Sequence, residues 1–439
     1  MKRIIYFFQL LIFFSIFSCA STSGYHDLFV NEAKSGNYEF PYYTIEEEPK
    51  NFYSGYDEVL KVLDLGVLAH YIGDDEKSIE YLNQAENLIY ENYTKSISQN
   101  INSYILNDNF IDYAGEEYED IYVNLFKCLS FISQQNYEGA FVEIRRFDNK
   151  LKTLSVKYQD KIEQMKINAD IDSKAYNQND TKVNFYDSAF ARYLSMLLYI
   201  YDDDYFSADI DYKYLLSAFE NQKSLYDFSI PKQIEENFNT PKDKVRLNVV
   251  AMSGVAPTKI EERFSNFYYG FNIALPVMQK NNSEIKKIKL MVQEKSTKQI
   301  FTKEFEKLES VTNIAMDTFK QKQNLIYTKS IARSLLKMGT TSLIEDLQDS
   351  TTDREIDSML GVLFSVLVFA NQVTEVADVR TSRYFPSDIY ISGLDLNPGL
   401  YDISISFLSS HGKEIYTEYF YDYSVTENKL NILEAVCLK

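Results

Sequence analysis

The chain has 439 residues, 45% of them hydrophobic, which is enough for two or three units with buried cores. Its formal net charge of −19 repels phosphate backbones and makes nucleic acid a poor partner. Three cysteines, Cys19, Cys128 and Cys437, do not make a disulfide framework; the last two read as buried thiols, with a single Cys128–Cys437 bridge left open.

In chain order, Lys2 and Arg3 lead into an apolar run from Ile4 to Phe17, interrupted by Gln9 and Ser15. A spanning helix needs about 20 apolar residues, so this shorter run is expected to be the core of a secretory signal. Ile16-Phe17-Ser18-Cys19 resembles a bacterial lipobox, with an aliphatic residue at −3 and a small one at −1. Phe17 departs from the small residue usual at −2, as the relaxed lipoboxes of spirochaete lipoproteins do. The resemblance implies a signal peptide over residues 1–18 and a diacylglycerol on Cys19, each buried methylene contributing about 0.8 kcal/mol to membrane attachment. Residues 19–49 are then expected to be the lipidated cysteine and a flexible tether, beginning with the small, polar "ASTSG". Ala20 is not the Asp that retains enteric lipoproteins at the inner membrane, so the resemblance favours the outer membrane. Exposure to periplasm or exterior stays open.

Residues 50–238 carry a helical periodicity. In "LDLGVLAHYIGDDEKSIEYLNQAENL", Leu65, Leu68 and Ala69 recur at helical spacing, as do Ile79, Leu82 and Ala85. The "GDD" between them is a turn in which Asp74 or Asp75 can cap a second helix. Two later stretches follow the same plan and align Ser78 with Ala140 and Ala208, and Leu82 with Ile144 and Tyr212. The spacings of 62 and 68 residues are near twice the tetratricopeptide period of about 34, so the stretches 91–120 and 151–185 are expected to hold further, degenerate helical pairs. Gly66, Gly73, Ser78, Leu82 and Ala85 resemble a tetratricopeptide unit directly. The fold class is therefore an all-α tetratricopeptide-like region followed by a second domain. Acidic clusters at 46–48 and 202–204 read as solvated faces.

Residues 239–439 read as α+β. Strand-like runs occupy 245–252, 271–276, 285–294 and 298–305. An amphipathic helix over about 308–339 and the apolar "MLGVLFSVLVFA" at 359–370, too short to span a bilayer, follow. The chain then returns to strands, with turns at "NPG" and "SSHG", in what is expected to be a β-meander. Two polar stretches stand out, "GVAPTKIEERF" and "ADVRTSRYFP". Lys259, Asp378, Arg380 and Arg383 are the candidate cluster, suited to ion pairing or to binding an anion.

The motifs "YAGEEYED", "NYEGAFVEIRR", "ARYLSMLLY", "GVAPTK" and "ADVRTSRYFP" together resemble a group of uncharacterised lipoproteins, mostly proteobacterial and spirochaete, with a tetratricopeptide-like N-terminal half. This chain departs from that group's pattern in having no Trp near Ser382-Arg383, and Val379 where Thr is usual. The resemblance spans most of residues 50–410. It implies an envelope lipoprotein and carries no established activity.

Only three histidines occur, His26, His70 and His411, and no metal, nucleophile-elbow or phosphate-loop motif is present. No catalytic residue, metal or cofactor is assigned. The expected role is a lipid-anchored, non-enzymatic adaptor that docks envelope proteins through its helical repeats. The alternatives are an envelope hydrolase or transferase with a site near Lys259, Asp378 and Arg380, and an activator of a peptidoglycan-building or export machine.

Overall fold

The computed structural model describes residues 23–98, 108–169, 184–266, 271–323, 326–327, 330 and 376–439. The signal, Cys19 and the apolar run at 359–370 lie outside the described residues, as does the side chain of His26. A helical N-terminal region precedes a sheet-rich C-terminal one. The longer helices of the N-terminal region are α1 Ser23–Lys34, α2 Glu39–Glu47, α3 Glu58–Tyr71, α4 Asp75–Ser98, α5 Glu117–Ser133, α6 Tyr137–Ala169, α7 Ala189–Tyr201 and α8 Tyr205–Asn221.

Helices α3/α4, α5/α6 and α7/α8 are hairpins closed by the same turn. Gly73, Gln135 and Asp203 occupy left-handed backbone, with φ of 79°, 57° and 57°. The next residue in each, Asp74, Asn136 or Asp204, returns its N–H to the carbonyl of Ala69, Phe131 or Tyr199 at 2.9, 2.8 and 2.9 Å. This satisfies a carbonyl orphaned at the end of the first helix. The same residue's side chain then caps the second helix, accepting the N–H of Lys77, Gly139 or Ser207 at 3.0 Å each. Ser78, Ala140 and Ala208 follow, all fully buried, where small side chains let the paired helices approach.

Two expectations about this half are corrected. Residues 91–98 and 151–169 are not extra helical pairs; they prolong α4 and α6. Nor is 23–47 a tether. It forms α1 and α2, because Phe29 and Ala33, four apart, and Tyr42 and Ile45, three apart, give each helix an apolar stripe that enters the core.

The C-terminal strands are β1 Val245–Val255, β2 Thr258–Asn266, β3 Phe271–Gln279, β4 Lys287–Glu294, β5 Ile300–Glu304, β6 Glu306–Ser310, β7 Pro386–Leu396, β8 Gly399–Leu408, β9 Glu414–Val425 and β10 Ile432–Cys437. One sheet has the order β10-β1-β7-β6, a second has β5-β4-β8-β9, and β2-β3 is a separate hairpin. The expected meander is corrected here. The "NPG" turn carries the chain from β7 in the first sheet to β8 in the second, so only β8 and β9 pair. The helix expected from 308 starts at 311, since 308–310 complete β6. In the stretch 254–264, Pro257 lies between the end of β1 and the start of β2, and the residues after it supply most of β2.

The central strand β1 is apolar on both faces because both are covered. Leu247, Val249 and Ala251 pack on the second sheet with Leu290, Val292, Ile403 and Ile405. Val250 and Met252 face the helices, in one continuous core with Leu125, Phe126 and Leu194. The first helices of the hairpins, α3, α5 and α7, are therefore buried along most of their length. Tyr71 donates to the Tyr384 carbonyl at 2.8 Å, Tyr193 to Asn248 at 3.1 Å, and Phe126 meets Phe385 edge-on at 5.4 Å. The inner face of the helical stack is filled by the protein's own sheet.

Candidate functional site

Three of the four candidate residues come together. Lys259, at the start of β2, lies with its Nζ 2.7 Å from Glu116 Oε1, and Lys322 Nζ lies 2.5 Å from Glu116 Oε2. Burial alone would raise the Glu116 carboxyl, but the two ammonium groups outweigh it and hold it below its ordinary value. Arg380 grips Asp378 through Nε and Nη2 at 2.9 and 3.0 Å. Its remaining donors go to the carbonyls of Asp108, Ile111 and Tyr56 and to Asp57. Against the cost of burial, Lys259 and Arg380 keep Asp378 far below the usual carboxylate range. Both cations face the Tyr113 ring, at 5.6 and 5.1 Å. Arg383 does not join them; it lies 3.6 Å from the largely exposed Asp27.

The ion-pairing reading of this cluster therefore describes the geometry. Its charges brace segment 376–383 against α5 and the loops before α3 and α5. A second brace beside it is not legible in the sequence. Glu119 accepts the Ser382 N–H at 2.6 Å and the hydroxyls of Thr381 and Tyr113 at 3.0 and 2.7 Å. Asp64 accepts from Ser382 and Tyr53 at 2.6 and 2.8 Å. The signal available is "EEYED" at the start of a helix; Glu116 and Glu119 form its capping box. Thr381 and Ser382 lie 262 and 263 residues from Glu119, beyond any local pattern.

A cavity of about 460 Å³ opens elsewhere, between the α3–α4 turn, the α5–α6 turn and strands β9 and β10 with the loop that joins them. Gly73 and Gln135, the two left-handed turn residues, line it together with His70, Asp75, Glu418 and Glu434. His70 is buried, with Nδ1 2.9 Å from Ser130 Oγ and Nε2 3.1 Å from Glu434. Burial would lower its pKa, but Glu434 and Asp75 raise it to about 9. Glu418 accepts the Val436 N–H at 3.1 Å; burial, with the charge of Glu434, pushes its carboxyl up to about 7. His70 reads from the sequence as a packing or surface residue. The structure makes it the link between the first hairpin and β10.

Cys128 and Cys437 are buried free thiols. Among the described residues, no group of three or more His, Cys, Asp or Glu is placed to hold a metal ion, and no helix is long and apolar enough to cross a membrane. Comparison with protein-family models, with curated proteins and with solved structures finds no match.

Proposed function

We propose that this protein is a lipid-anchored envelope adaptor whose tetratricopeptide-like hairpins dock a partner through the outer helices of the stack. The observation that carries the reading is an apolar stripe on α8. Phe206, Ile210 and Tyr214 follow at intervals of four and are 78%, 39% and 51% exposed. The inner face, which helical-repeat proteins use for ligands, is closed by the sheet, so the outer face is the one left for a partner. The exposed Asp202 and Asp203 and the half-buried Asp209 border the stripe, which suits an amphipathic segment with basic flanks.

An enzyme built on Lys259, Asp378 and Arg380 is less well supported, because those groups are saturated by internal partners. An activator of an envelope machine is a special case of the adaptor.

A photo-crosslinking residue placed at 206 in the full-length protein, in intact cells, is expected to give a discrete adduct that Ile210→Asp abolishes. The same probe at exposed Lys413 is expected to give none. Absence of an adduct at 206 would sink the docking role. Cys19→Ser is expected to abolish palmitate incorporation and release the protein from membranes; retained label would refute the anchor.

A further inference from the structure

The cavity between the first two hairpin turns and strands β9 and β10 has a lining suited to a ligand of one charge. We propose that it binds a small organic cation, an ammonium group on an apolar body, with Glu418 as the counter-charge. The volume of about 460 Å³ falls in the range of small-molecule pockets, roughly 300–1,000 Å³.

Most polar groups in the wall already have partners. Tyr38 donates to the Val436 carbonyl at 3.0 Å and Tyr423 to that of Ile432 at 3.1 Å. His70 bridges Ser130 and Glu434. Glu418 differs: one carboxylate oxygen accepts the Val436 N–H, and the other has no partner among the described residues. A half-buried carboxylate with an open lone pair favours a charged donor. The aromatic residues Tyr38, Tyr71 and Phe420 also line the space and supply apolar contact for the body of such a ligand.

Charge excludes the opposite ligand. Asp75, Glu418 and Glu434 line the cavity against His70 and Lys429, so an anion would meet an excess of carboxylates. Lys429 lies over the Tyr423 ring at 4.9 Å and has no ion-pair partner among the described residues. It repels a cation entering beside it, so its removal should tighten binding.

The test is calorimetric titration of the full-length chain in detergent at fixed mildly alkaline pH, using benzylammonium chloride, with benzyl alcohol and benzoate as isosteric controls. Benzylammonium is expected to bind with a Kd below about 1 mM, and both controls at least about tenfold more weakly. Glu418→Gln keeps the acceptor for Val436 and is expected to lose about tenfold, while Lys429→Met gains several-fold. Circular dichroism melting verifies that both variants fold. Equal binding of benzyl alcohol, preference for benzoate, no heat with benzylammonium, or unchanged affinity in a folded Glu418→Gln would each overturn the assignment. None of these results depends on the α8 surface or on Cys19.

Discussion

Lys259 and Glu116 are 143 residues apart in the chain and meet at 2.7 Å, both almost fully buried. The pair joins the first strand of the β2–β3 hairpin to the N-terminus of α5, and Lys322 completes it from the helix after β6. A buried pair is weak evidence of net stabilisation, but breaking one by removing a single partner is costly. Lys259→Met is therefore expected to destabilise the protein by about 3 kcal/mol, since one ammonium group remains on Glu116. Urea unfolding of the variant measures this; a midpoint equal to that of the parent would show that Lys322 alone suffices.

Stability should fall as pH rises through neutrality. Burial raises the Asp64 carboxyl from 3.8 to about 7, with Glu119 adding to it and the hydrogen bonds from Ser382 and Tyr53 opposing it. The folded state thus holds a proton that the unfolded chain releases. Its contribution is full below pH 3.8 and is lost as pH climbs through about 7. His70, raised from 6.5 to about 9, acts in the same direction between those values. Glu86, lowered from 4.5 to about 2 by Lys150 and Lys127 against its burial, acts oppositely, and its share is lost on acidification below 4.5. The melting temperature should peak near pH 4, between the ordinary values of Asp64 and Glu86, and decline toward pH 9, each tenfold difference in proton affinity between folded and unfolded chain counting roughly 1.4 kcal/mol. Asp64→Asn should flatten the decline between pH 4 and 7. An identical pH profile in that variant would contradict the assignment.

Asp203 holds the left-handed turn position that Gly73 holds in the first hairpin. A side chain there is strained, whereas glycine adopts the conformation freely at some cost in unfolded-state entropy. Asp203→Gly is expected to stabilise by about 0.5–1 kcal/mol net, because Asp203 is exposed and the capping role belongs to Asp204. Thermal melting decides the sign.

Gly66 sits where α3 and α4 touch. A Cβ there would lie 2.7 Å from both Cγ and Cδ2 of Leu82 and 3.3 Å from its backbone nitrogen. Gly66→Ala is expected to cost about 1–3 kcal/mol, with the loss recovered in part by Leu82→Ala in the same chain. If the two substitutions simply add, the close approach is not the cause.

The candidate cluster shows how far a local reading reaches. Asp378 and Arg380 are legible as a pair, because two opposite charges separated by one residue lie within reach of each other. Their acceptors on the loops before α3 and α5 are not, and neither is Tyr113 as the ring that Lys259 and Arg380 both face. Proximity in sequence alone groups Arg383 with them, yet it projects toward Asp27. The cavity's His70 and Glu418 carry no motif, since they come from opposite ends of the chain and only the packing of β9 and β10 beside the first hairpin places them on one wall.

The helical hairpins are written in local sequence patterns. Their helices follow from a period of about 3.6, and their turns from an Asx cap and a small residue at fixed offsets, all interactions within a few residues. The same local logic determined most strands, but not which sheet each would join. The division of β7 and β8 between two sheets, the parallel pairing of β1 with β10, and the burial of α3, α5 and α7 under the first sheet came only with tertiary structure. Register and layer order depend on apolar faces meeting across hundreds of residues, and a face records that it must be covered without recording by what.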